Sequence, residues 1–267
     1  RQRQMCIRDR SCAIPPTAKV SPPSSKMIPQ RETGALRALT LAAVAALCAG
    51  IAKGAEERSP CTEDAMIVFD ASGSMSGNLD PFSTVVQLRI DEVRKALRRV
   101  LPRASQFRKI GLVTYGAGAY NQCNVSLDLR PTPQAAKPIM RIVDALRPAG
   151  KTPMTEAIEQ AAEVLDYRNQ PAVIVVLTDG QETCNGDPCA LGKRLGAEAP
   201  NLTVNVIGFR LQSDSWLGAQ SYLDAKCLAE ETGGTYLNVH GEDDLAKAFE
   251  QTLGCPMMSA WEPRAAR

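Results

Sequence analysis

Ile67-Val68-Phe69-Asp70-Ala71-Ser72-Gly73-Ser74 is an apolar run that ends in an acid and continues with two hydroxyls at alternate positions. A buried strand of a parallel sheet reads as such a run, here Ala65 to Phe69. Open α/β sheets place their ligands at the C-terminal ends of their strands. Asp70, Ser72 and Ser74 therefore offer three hard oxygen groups at the mouth of a strand, and Gly73 lets the backbone turn between the hydroxyls. Hard oxygens suit a hard cation such as Mg²⁺, Mn²⁺ or Ca²⁺. Taken alone, the same residues also read as a strand closing in an Asx or Ser turn, so the rest of the chain has to decide.

The 267 residues suffice for one core of about 200 residues plus extensions. The formal net charge of +2 is unevenly placed: residues 1–54 hold nine basic and two acidic side chains, which leaves the remainder at −5. An acidic body argues against a nucleic-acid partner. Residues 1–26 are basic, Pro/Ser-rich and aperiodic, and read as a disordered or non-native extension. From Met27, Arg31 and Arg37 precede an apolar run, Ala38 to Ala52, closed by small residues up to Gly54. Residues 27–54 thus read as a secretory signal peptide, and the protein as exported, periplasmic or secreted. The run is short for a membrane span. The membrane would be a partner only if this segment stayed uncleaved as an anchor.

Of nine cysteines, six follow the leader: Cys61, Cys123, Cys184, Cys189, Cys227 and Cys255. An even number in an exported chain suggests disulfides, and none shows the C-x-x-C spacing of a zinc or thioredoxin-like site.

After a polar lead-in, residues 55–64, strand-like and helix-like segments alternate. Strands are expected at 65–69, 110–115, 125–129, 172–177, 202–209 and 235–239. Helices are expected at 86–101 (stopped by Pro102), 135–146, 153–165, 190–195, 216–231 and 242–253. Val125, Leu127 and Leu129 alternate with polar residues, as in an antiparallel edge strand, whereas 172–177 is a continuous apolar run, as in a central one. Arg94, Lys95, Arg98 and Arg99 read as the solvated face of the first helix. Thr152 stands where an N-cap would, ahead of Pro153. The pattern is that of an α/β fold, a doubly wound, mostly parallel six-stranded sheet with helices on both faces and one antiparallel edge strand. The domain spans 65–255, and a flexible tail 256–267 follows.

Three loops stand out: Phe69-Asp70-Ala71-Ser72-Gly73-Ser74-Met75, Gly150-Lys151-Thr152-Pro153-Met154-Thr155 and Leu177-Thr178-Asp179-Gly180. With these the chain resembles the von Willebrand factor type A domain, also called the integrin I domain. The stretch from Asp179 through Cys184 to Asp187-Pro188-Cys189 looks most like that family's exported bacterial branch. The resemblance implies a strand order 3-2-1-4-5-6 and a metal-ion-dependent adhesion site. In it Asp70, Ser72, Ser74, Thr152 and Asp179 hold Mg²⁺ or Mn²⁺, with Ca²⁺ a further option. It also implies a non-enzymatic adhesion module whose cation captures an acidic side chain of a partner protein.

Each residue has a plainer role on offer. Thr152 alone reads as a helix cap, Asp179 as turn chemistry ahead of Gly180, and Gln181 and Glu182 as a solvated loop. Two other functions compete. One is a subunit of a larger periplasmic or membrane-associated assembly. The other is a phosphoryl-transfer enzyme using Asp70 as nucleophile. The latter is disfavoured because Ser72 stands where a second acid is usual, and no Gly-rich phosphate loop or nearby His is present. In the implied strand order, a Cys61–Cys255 bond would tie the ends of the domain, and Cys184 and Cys189 would pair locally. That leaves Cys123 with Cys227 in opposite halves of the sheet, so either that pair stays reduced or the local pairing fails.

Overall fold

The computed structural model divides the chain into residues 1–56 and 57–267. It describes residues 62–79, 86–211 and 216–254, all in the second unit. The expected leader, the tail and the Cys61–Cys255 bond lie outside the described residues. Within them no helix is long and apolar enough to cross a membrane.

Six strands form one sheet: β1 (Asp64–Asp70), β2 (Ile110–Tyr115), β3 (Val125–Thr132), β4 (Ala172–Thr178), β5 (Leu202–Phe209) and β6 (Tyr236–Val239). Their order is β3-β2-β1-β4-β5-β6, with every pairing parallel except β2 with β3. This is the order that the resemblance implies, with the antiparallel strand at the edge. Among the described residues six α-helices cover the sheet: α1 (Arg89–Ala104), α2 (Ala136–Ala145), α3 (Met154–Val164), α4 (Pro188–Glu198), α5 (Trp216–Glu231) and α6 (Glu242–Leu253).

The alternation of strand side chains divides the core in two. Ile67 and Phe69 face a cluster that includes Val93 and Leu97 of α1, Ile139 of α2 and Phe249 of α6. Met66 and Val68 face Ile158 of α3, Leu191 of α4 and Leu228 of α5. Each burial of such a side chain contributes roughly 1.5–3 kcal/mol. Central strands covered on both faces have to be apolar at every position, which is why β1 and β4 read as unbroken runs.

Several expectations change. α1 begins at Arg89 rather than Val86 and runs past Pro102 to Ala104. Pro102 lacks only the N–H that would reach the Arg98 carbonyl, and the helix closes two residues later. Arg94 is not on a solvated face. Its side chain is 16% exposed, and its guanidinium donates to the Val143 and Leu146 carbonyls at the end of α2, where a cation complements the helix dipole.

The disulfide pairing is also different: Cys123 bonds Cys184 and Cys189 bonds Cys227. The local Cys184–Cys189 bond does not form because Asp187 caps α4 through Ala190 N–H. Cys189 thereby enters the first turn of α4, which packs tightly on α5. An added Cβ on Gly192 would stand 2.9 Å from Leu228 Cα.

Candidate metal centre

β1 and β4 are neighbours, with Phe69 in register with Leu177, so Asp70 and Asp179 emerge side by side where the two strands end. Asp70 is fully buried and Asp179 is 6% exposed. Asp70 Oδ1 accepts the Ser72 N–H at 2.8 Å. Its Oδ2 accepts the Thr178 hydroxyl at 2.9 Å and faces the Asp179 N–H at 3.4 Å. Ser74 donates its hydroxyl to Asp179 Oδ1 at 2.5 Å. The single Ser74 proton is thereby used, so in the 2.9 Å contact between the Ser72 and Ser74 hydroxyls, Ser72 is the donor. Arg89, at the start of α1, donates to Asp179 Oδ2 at 2.9 Å.

Four of the five expected residues thus share one hydrogen-bonded network. The fifth, Thr152, is brought close by backbone. Ser72 bridges Gly150, whose carbonyl accepts the Gly73 N–H at 2.9 Å. The Thr152 side chain is 5% exposed and joins none of the network's hydrogen bonds. Thr152 is not the helix cap: α3 starts at Met154 with Pro153 at the capping position. Glu182 instead serves the N-terminus of α3, accepting the Thr155 N–H at 2.8 Å and the Cys184 N–H at 2.7 Å. It is a structural acid rather than a solvated one.

Burial raises the pKa of Asp70 above the ordinary carboxylate range, against hydrogen bonds from Ser72 and Thr178. Burial and then the Asp70 charge push Asp179 up to about 6, against the Ser74 and Arg89 bonds. Tyr115, in register with Asp70, is fully buried beside it. Its pKa is held well above the usual value by burial and then by the Asp70 charge. The donor chemistry fits a hard divalent cation: two carboxylates short of positive charge, flanked by hydroxyls. Among the described residues no group of three or more His, Cys, Asp or Glu comes together. Any cation here would thus rely on hydroxyls and water beside the two acids.

Thr178 and Arg89 are the site residues that the sequence reading missed. Thr178 directly precedes Asp179 and could have been flagged by that adjacency. Nothing in the sequence marks Arg89, which meets Asp179 across 90 positions.

The doubly wound sheet carries an oxygen-rich cluster at the C-terminal ends of β1 and β4. Residues 65–181 match the family model of the von Willebrand factor type A domain. Among curated proteins it is similar to the uncharacterized protein YwmC of Bacillus subtilis, at 26% identity over 229 residues, which is 82% of this chain and 92% of that protein. Among solved structures the fold is similar to the PilB minor pilin of Streptococcus sanguinis, with TM-score 0.54, 16% identity, and 77% of this chain and 64% of that one covered. It is also similar to the von Willebrand factor type A protein of Catenulispora acidiphila, with TM-score 0.52, 19% identity, and 72% and 42% covered.

Proposed function

We propose that this is an exported, non-enzymatic protein-binding module that holds Mg²⁺ or Mn²⁺ with Asp70, Ser72, Ser74, Thr152 and Asp179 and uses it to capture a carboxylate of a partner protein. The observation that carries this reading is the network joining Asp70, Ser72, Ser74 and Asp179; of its two buried carboxylates, Asp179 alone pairs with a basic side chain, Arg89, among the described residues. A bound cation supplies an electrophilic position for a partner's carboxylate oxygen. The chain's own groups do the rest. Buried β1 and β4 fix the two acids, the Ser72 N–H and the Thr178 hydroxyl orient Asp70, and Ser74 orients Asp179.

Two disulfides support the export reading, since such bonds persist in oxidising compartments. A phosphoryl-accepting Asp70 fits poorly, because the residue is fully buried and hydrogen bonds engage both of its oxygens. Calorimetric titration with Mg²⁺ and Mn²⁺ tests the site. Saturable binding is expected for the wild type and should be lost in Asp179→Ala, with circular dichroism unchanged. Equal affinity in that variant would overturn the ligand set.

A further inference from the structure

We propose that Arg89 is a resident counter-ion of this site, one that occupies Asp179 in the cation-free domain and must be displaced from it, or outweighed there, by an incoming divalent cation. The inference rests on the site reading above and adds a residue that determines its affinity and its preference for an anionic partner.

Arg89 is placed for this by the fold rather than by a chance surface encounter. Its backbone N–H is anchored to the Gly77 carbonyl at 3.1 Å, directly after the turn that carries Ser72 and Ser74. Gly77 lies beside the Arg89 side chain, since an added Cβ would stand 3.5 Å from Arg89 Nε, in ordinary contact. The guanidinium reaches an Asp179 side chain with no exposed surface while its own side chain stays 30% exposed. Among the described residues no other basic side chain pairs with Asp70 or Asp179.

The contact is incomplete on the arginine side. Nε is buried and has no acceptor, so one donor of the fork is left unsatisfied. The Asp179 contact therefore holds this pose without a full set of bonds, and the pose is one that a competing cation can disturb.

Charge counting shows what Arg89 does to binding. Two carboxylates and one guanidinium leave the site at −1, and a divalent cation takes it to +1. Without Arg89 the same cation would bring the site to neutrality. The guanidinium thus weakens binding of the cation alone and leaves the loaded site with a positive excess that a partner's carboxylate offsets. Cation and acidic partner then strengthen one another's binding. An opposite charge at this range changes a carboxylate's affinity for a proton by about ten- to a thousandfold, and competition with another cation follows the same electrostatics.

The test is titration of the purified protein with Mn²⁺ alone, read by calorimetry, for the wild type, Arg89→Met, Arg89→Gln and Arg89→Lys, with Asp179→Ala as the site control. Met and Gln should each tighten Mn²⁺ binding at least about tenfold, and Lys should restore the wild-type value. A merely structural arginine would give weaker binding on removal, not tighter, and Gln guards against a Met variant that fails to fold. Wild-type binding that is lost in Asp179→Ala but unchanged or weakened in both Met and Gln overturns the role of Arg89 and leaves the site standing. Absence of Mn²⁺ binding in the wild type and in every Arg89 variant overturns both.

Discussion

Cys123 and Cys184 join the loop after β2 to the loop after β4, with Cα atoms 5.9 Å apart, and the Thr152 segment is laced to both loops. Lys151 N–H donates to the Gln122 carbonyl at 2.9 Å. Thr152 N–H donates to the Thr183 hydroxyl at 2.8 Å, and Thr183 N–H returns to the Thr152 carbonyl at 3.1 Å. Thr152 is therefore gripped from two sides by loops that a covalent bond keeps together.

The first prediction follows from that grip. The bond spans 61 positions, and chain-entropy arguments put its contribution at roughly 4 kcal/mol. Replacing both cysteines by serine should lower the urea midpoint accordingly and weaken Mg²⁺ binding several-fold, because Thr152 loses its fixed position. Lower stability with unchanged calorimetric affinity would make the bond a device of the fold alone.

The two buried acids set a pH dependence. Asp179 titrates at about 6 in the folded domain against an ordinary 3.8, so the folded state holds this proton more tightly than the unfolded chain. The stability it contributes is complete below the unfolded value and is lost as pH rises through about 6. The cation-free domain should therefore be more stable at pH 5 than at pH 7, by roughly 1 kcal/mol from this group. Mg²⁺ should stabilise more at pH 7 than at pH 5, where it competes with protons. Thermal melts at both pH values, with Mg²⁺ and with chelator, check the sign. A chelated domain that is more stable at pH 7 would contradict it.

Gly116 offers a sharper structural test. Its φ is +72°, and a Cβ there would stand 2.6 Å from the Lys151 carbonyl oxygen and from Ser72 Cα. Gly118 also has positive φ, +94°, but open space around it. Gly116→Ala should cost roughly 2–4 kcal/mol and spread the Ser72 and Thr152 loops. Gly118→Ala should cost only the conformational part, about 1–2 kcal/mol. Similar denaturation midpoints for the two variants would mean that the loops yield to the added methyl group.

The sequence made the sheet legible because burial on both faces writes itself as an uninterrupted apolar run. β1 and β4 are legible for that reason, and β3 declares its edge position by alternation. The acid and hydroxyl motifs were legible because each follows a strand or precedes a helix. What could not be read depends on proximity across long separations. Arg89 meets Asp179, Arg94 meets the end of α2, and Cys123 meets Cys184, each through folding rather than through local spacing. The local Cys184–Cys189 pairing failed because sequence nearness said nothing about Asp187 capping α4 and carrying Cys189 toward α5. Thr152 was misplaced by one position, since Pro153 takes the capping place itself.

The edge strand has a consequence for how the molecule behaves in company. β3 carries Pro131, which has no N–H to offer, and exposes Ser126 and Arg130. Its register with β2 slips twice, between Ile110 and Leu112 and again between Leu112 and Val113. An irregular, polar margin of this kind is a poor template for another chain's strand. The opposite margin, β6, is only four residues long. Growth of the sheet from molecule to molecule is thus discouraged at both ends, and encounters are steered to the loops above the strands. Replacing Ser126 and Arg130 with valine should reverse this, and concentration-dependent light scattering would register the new self-association.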